Sequence, residues 1–225
     1  MIYNRAWSGT REYRLGFADR LLGNSLEHHC LMRVSPVDST IDKHYDLHTF
    51  KHEHWRPRNV IEDYFPLCEA ESHYSADFDQ EEYESTEIEV VLETLFDDSR
   101  LHLTEKSLRP IAVGQPFILA GTHGSLEYLR SYGFKTFGDF WDESYDTIFD
   151  PIERLQAIAK ILKDISNLSL YFSTDDDNFD NAKNLKLQGV RLAYLGKTFA
   201  VTESKMKELT GKVGAKCPEN AKRIP

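Results

Sequence analysis

The sequence predicts an α/β fold: a Rossmann-like parallel sheet with helices on both faces, a loop-rich insertion at about residues 35–86 and a C-terminal helical tail. Three observations lead there. Short apolar strands alternate with segments of helical period, the order that yields a parallel sheet. Residues 116–120 (PFILA) are a continuous apolar run, the kind buried on both faces. Helix ends are punctuated by Gly23-Asn24, Gly114 and Gly133, and a helix start by Asp150-Pro151.

The elements follow in order. Residues 1–4 read as a short strand with no leader before it. Gly9 and Thr10 cap a helix over about residues 11–22, whose Tyr13, Leu15, Phe17, Ala18, Leu21 and Leu22 form an approximate stripe. Residues 29–34 read as a second strand, closing a β-α-β unit with parallel pairing. Residues 35–86 are rich in His, Asp, Glu, Tyr and Pro with little periodicity, so long loops, short helices and a turn near Trp55-Arg56-Pro57 are expected. A loop region this long in a compact domain commonly carries function. Residues 87–95 (EIEVVLETL) alternate and are β-branched, which suits a strand, although a helix fits the same letters. Residues 101–104 read as a strand end. Residues 105–113 form a helix whose length Pro110 limits. Residues 121–124 turn into a helix over 125–131, and 134–137 read as another short strand. The helix from Asp150-Pro151 runs to about residue 170, with Ile152, Leu155, Ile158, Ala159, Leu162 and Ile165 on one face.

With 225 residues and 40% hydrophobic content, the chain can bury a sizeable core. Its net charge of −10 argues against a general nucleic-acid or membrane-surface binder. No apolar run approaches the roughly 18 residues of a membrane span. Charges at Arg5, Arg11, Arg14, Asp19 and Arg20 interrupt any signal-peptide core. Cys30, Cys68 and Cys217 are distant and odd in number, so neither a disulfide framework nor a CxxC metal site is expected, and a cytoplasmic setting is.

Chemistry concentrates in residues 101–133. Thr104-Glu105-Lys106 sets a hydroxyl, a carboxylate and an ammonium at a helix mouth, where open α/β sheets hold nucleotides. The carboxylate suits ribose hydroxyls, and the lysine suits phosphate. Gly121 and Gly124 would let backbone amides approach an anion, although a tight strand-to-helix turn explains them equally well.

The run LTEKSLRPIAVGQPFIL resembles the donor-binding C-terminal domain of GT-B glycosyltransferases, above all the α1,3-fucosyltransferase family, and is also similar to phage-type proteins with the same core. The resemblance spans about residues 3–165 and is strongest over 87–137. It implies a single GT-B-type half over residues 1–172 that binds a nucleotide diphosphate sugar, followed by a C-terminal extension over 173–225. By position it assigns Glu105 to the donor ribose, Lys106 to the diphosphate and Arg5 to phosphate after the first strand. Thr104 belongs to the same turn, and Glu93 matches the acidic residue of the preceding strand end. The family's aromatic position in the turn is His102 here. No metal or other cofactor is implied, and the family's acceptor domain and general base would come from a partner chain or another domain. If the protein is viral, the setting is the host cytoplasm. A non-catalytic structural or interaction module retaining the fold is the alternative.

His44, His48, His52 and His54 form a second cluster. On a helix, positions 44, 48 and 52 share one face, so a metal site is conceivable. A solvated loop, or a single histidine acting as a general base, suits the same residues. Asp97-Asp98 reads as a turn, and Trp7, Trp55 and Trp141 as packing residues.

Overall fold

A computed structural model describes residues 2–4, 6–65 and 79–171. The extension over 173–225, Cys68, Cys217 and Arg5 lie outside them.

The protein is α/β. Its main sheet comprises β1 (Ile2–Asn4), β2 (Met32–Val34), β5 (Glu89–Leu92) and β6 (Phe117–Ala120), all parallel in the order β2-β1-β5-β6. A hairpin of β3 (Val37–Asp38) and β4 (Lys43–His44) stands apart. The helices are α1 (Tyr13–Gly23), α2 (Gln80–Glu84), α3 (Glu105–Val113), α4 (Ser125–Ser131) and α5 (Pro151–Tyr171). Every residue of β6 is buried, as a continuous apolar run in a parallel sheet should be, and so is every residue of β5, Glu89 included. Edge strand β2 alternates buried, exposed, buried.

Local chemistry sets the helix ends. The Thr104 hydroxyl accepts from the Lys106 N–H at the start of α3, and Gly114 ends that helix at φ 73°. Pro151 opens α5, while Asp150 Oδ1 accepts from the N–H groups of Ile152 and Glu153 at 2.9 and 2.8 Å. Leu155, Ile158, Ala159 and Leu162 face the core as the periodicity requires.

Three expectations are corrected. Residues 101–104 pair with no strand, and the Thr104 N–H donates to Glu93 Oε1 instead of a ladder (2.9 Å). Residues 134–137 form no strand but irregular backbone that leads into a turn at 138–140. Phe134 and Phe137 are buried, and the Glu143 carboxylate takes the Phe137 N–H and the Thr136 hydroxyl. The strand expected over 29–34 shortens to its last three residues, since Glu27–His29 forms a 3-10 turn.

Residues 48–59 of the insertion form a strap that follows α1 along its length. Glu12, at the α1 start, pairs with His48 Nε2 (2.8 Å) and accepts the Lys51 N–H (2.7 Å). Asp19 Oδ1 accepts the N–H groups of Arg58 and Asn59. Between these two points Gly16 admits the strap. A Cβ there would lie 2.9 Å from the His54 carbonyl oxygen and 3.0 Å from the Trp55 ring. Trp55 and Phe50 are buried, and Phe50 stacks against Trp7.

Candidate functional site

The Thr104-Glu105-Lys106 turn is built from beneath by one side chain. Glu93, immediately after β5, is fully buried. Its Oε1 accepts from the Thr104 N–H and the Ser107 hydroxyl, and its Oε2 from the Thr94 N–H (3.0 Å) and the Thr104 hydroxyl (2.7 Å). A carboxylate can satisfy four donors at once, and it sits favourably at the positive end of a helix. Glu93 thereby ties the mouth of α3 to the carboxyl end of β5. Its oxygens are committed to this task, so Glu93 positions the turn rather than touching a ligand itself.

Lys106 Nζ lies 2.8 Å from Glu105 Oε1 and 3.4 Å from the hydroxyls of Thr94 and Thr104. The lysine side chain keeps 18% of its exposure and that of Glu105 28%. The ammonium is thus oriented by its neighbours yet reachable. In water-accessible surroundings such an ion pair is worth little, so a polyanion can compete for the lysine.

Elsewhere along this edge, internal carboxylates already hold the amides that an anion would use. Asp38 Oδ2 accepts from the N–H groups of Trp7 and Ser8 (2.8 and 2.7 Å) in the loop after β1. Its Oδ1 accepts from the Thr40 N–H and hydroxyl. Burial alone would raise the Asp38 carboxyl, but the hydrogen bonds from Thr40 and Ser8 outweigh it and hold it far below the usual carboxylate range. Asp146 caps α4 in the same manner, accepting from Leu126 and Glu127 at 2.9 and 3.1 Å, while its carbonyl takes the Gly124 N–H. Gly124 is needed for its backbone, at φ 78°. Gly121 is needed for space, because a Cβ would meet Ser125 Oγ at 2.8 Å.

Buried side chains also close the carbonyls of the strand ends. Tyr13 Oη donates to the carbonyls of Glu93 and Ala120, and Arg14 to those of Ala6 and Leu92. Arg154 reaches Gly121, Ile148, Phe149 and Phe96. None of Asp38, Asp146, Tyr13, Arg14 and Arg154 carries a sequence signal for these roles, since most partners lie twenty or more positions away.

The histidines do not share a face, because residues 44–55 form 3-10 turns and extended backbone. His44 faces Asp46 and Glu62, His48 faces Glu12, His52 faces Asp97, and the His54 carbonyl meets Arg20. Among the described residues no group of three or more His, Cys, Asp or Glu is placed to hold a metal. Asp97 pairs with Lys51 and Asp98 with Arg100. Trp7 and Trp55 are core residues. Burial pushes the Cys30 thiol up to about 11, so it is a poor nucleophile. No described helix is long and apolar enough to cross a membrane.

Fold and site together define an α/β protein with a polar acid-lysine turn at the carboxyl edge of a parallel sheet. The chain is similar to the Gene 88 protein of Mycobacterium phage L5, 34% identical over 101 residues that cover 39% of this chain and 40% of the relative. It is also similar to the Gene 88 protein of Mycobacterium phage D29, 38% identical over 96 residues, or 36% and 38% of the two chains. The match therefore spans about two fifths of these relatives. No family profile and no solved structure matches.

Proposed function

We propose that the chain binds a nucleotide diphosphate sugar at the Thr104-Glu105-Lys106 turn, as the donor-holding half of a glycosyltransferase-like phage protein acting in the host cytoplasm. The observation that carries this reading is the placement of Lys106: a reachable ammonium, fixed by three neighbours, at the carboxyl end of β5. The strand order supports it. Crossovers leave β1 and β5 in opposite directions, and right-handed connections then put α1 and α3 on opposite faces of the sheet, in Rossmann-like fashion. The order reverses between β1 and β5, which is where doubly wound sheets take ligands.

In the transfer itself, the bond between the anomeric carbon and the diphosphate oxygen breaks as an acceptor oxygen attacks. Lys106 neutralises the departing diphosphate, Glu105 accepts from the ribose, and the acceptor's proton leaves through a base on a partner chain or another domain. Calorimetric titration of UDP, GDP, ADP and their sugar conjugates tests the donor site. Binding of one nucleotide that weakens by roughly tenfold or more in Lys106→Met, the loss of one charge-assisted contact, supports it. No binding to any of them refutes it.

The second reading is a non-catalytic module. The carboxylates of Asp38 and Asp146 favour it, because they fill the backbone amides that a phosphate would otherwise claim. It predicts a stable complex with a partner protein and no hydrolysis of any nucleotide sugar.

A further inference from the structure

We propose that the cleft between α1, the strap at 53–58 and α5 is a second, separate anion site, built for a phosphate-bearing small molecule of nucleotide size. The cleft encloses about 490 Å³, within the range of small-molecule sites. It lies along the α1 flank, and neither Glu105 nor Lys106 lines it.

Its charge is the first argument. The protein carries 37 acidic and 27 basic residues, yet this cleft gathers Arg20, Arg56, Arg58 and Lys160 against only Asp19 and Glu53. Asp19 offsets part of the charge of Arg20, while its Oδ1 accepts from the N–H groups of Arg58 and Asn59 and the Asn59 amide. Lys160 reaches only Asp164, at 4.0 Å on the exposed side of α5. Among the described residues, the side chains of Arg56 and Arg58 have neither a hydrogen bond nor an ion pair. Arg56, Arg58 and Lys160 are exposed, so their side chains can turn toward an anion in the cleft and give it charge-assisted hydrogen bonds.

The second argument is the anchoring of Arg20. Its Nη1 donates to the carbonyls of Gly16 and His54, and its guanidinium lies over the Trp55 ring at 5.7 Å. Burial lowers its pKa, Asp19 opposes this, and Arg58 lowers it again, which marks Arg58 as a close like charge. One fixed arginine beside two unpaired ones suits the oxygens of a phosphate or diphosphate, which planar guanidinium groups bind in a fork.

The opposite wall differs. Ile152 and Ala159 give it apolar surface and Gln156 a neutral amide, beside the cation Lys160, which suits the uncharged body of a nucleotide. A long polyanion is disfavoured, since beyond the cleft it would meet an acidic protein.

The test is calorimetric titration of the full chain at low salt with inorganic pyrophosphate, ADP and a 12-nucleotide single strand. The variants are Arg56→Gln/Arg58→Gln and, for the other site, Lys106→Met. Lys106→Met, which removes the ammonium of the other site, should still bind pyrophosphate and ADP at the cleft, more weakly as salt rises. The double variant should lose roughly tenfold or more, because each guanidinium supplies charge-assisted bonds. Its far-UV spectrum should not change, as neither side chain holds the fold. Three results would each overturn the site: no binding by wild type, undiminished binding by the double variant, or loss confined to Lys106→Met. Tighter binding of the oligonucleotide than of ADP would overturn the ligand class.

Discussion

Glu93→Gln is the sharpest probe of how the turn is made, because it keeps the shape of the side chain and removes one acceptor. Each carboxylate oxygen faces one backbone N–H, that of Thr104 on Oε1 and that of Thr94 on Oε2. Each also faces a hydroxyl, which can rotate and become an acceptor. A backbone N–H has no such freedom. Whichever way the glutamine amide is turned, its NH2 group meets a backbone donor. One buried N–H without an acceptor costs about 1–3 kcal/mol, and the change from a charged to a neutral acceptor takes roughly 1 kcal/mol more from the remaining bonds. The expected destabilisation is about 2–4 kcal/mol. Urea denaturation followed by far-UV circular dichroism reads it as a lowered midpoint at unchanged slope. Thr94→Ala is the control, since among the described residues that hydroxyl bonds only Lys106, at 3.4 Å, and the variant should stay within about 0.5 kcal/mol of wild type. A Glu93→Gln protein as stable as the control would refute the two-acceptor requirement, and with it the account of how Lys106 is positioned.

Further outcomes follow from the same reasoning. Asp38 has a depressed carboxyl pKa in the folded state, so its stabilisation is complete above the unfolded value of about 4 and is lost as the pH falls below it. Asp38→Asn should therefore be less stable at neutral pH and show a shallower loss of stability on acidification, measured by urea midpoints at several pH values. Gly16→Ala sets propensity against packing: alanine favours the helix by about 1 kcal/mol, but its Cβ meets the His54 backbone oxygen at 2.9 Å. Overpacking of this kind costs about 1–3 kcal/mol, so the variant should melt lower and be cut faster by protease within 53–58. A rise in melting temperature would show that the strap does not press on α1. Arg109→Met leaves Glu89 fully buried without its ion-pair partner and frees a bond to Tyr83. About 3–5 kcal/mol should be lost, and much of it regained when Glu89 is also made Met.

Elements governed by local rules were legible in the letters. The β-branched segment at 87–95 and the apolar run at 116–120 became buried parallel strands, and Thr104, Gly114, Gly124 and Asp150-Pro151 set helix ends where their chemistry requires. Segments whose partners are remote were misread. Residues 101–104 have strand-like letters, but a carboxylate eleven positions away takes the Thr104 amide. The apolar pair Phe134 and Phe137 fills the core from irregular backbone that Glu143 organises. The histidines suggested a helical face only because their spacing was read without the strap's attachment to α1.

The acid-lysine turn, its helix and the parallel sheet behind it were determined by the sequence alone, since capping, periodicity and apolar runs act over a few residues. Only the tertiary structure decided that Glu93 is the scaffold of the turn, and that Asp38 and Asp146 occupy the neighbouring amides. It alone gathered the arginines of α1 and the strap beside α5. Those outcomes depend on which buried donor finds which acceptor, and that pairing is settled by packing between residues distant along the chain, where no local pattern reaches.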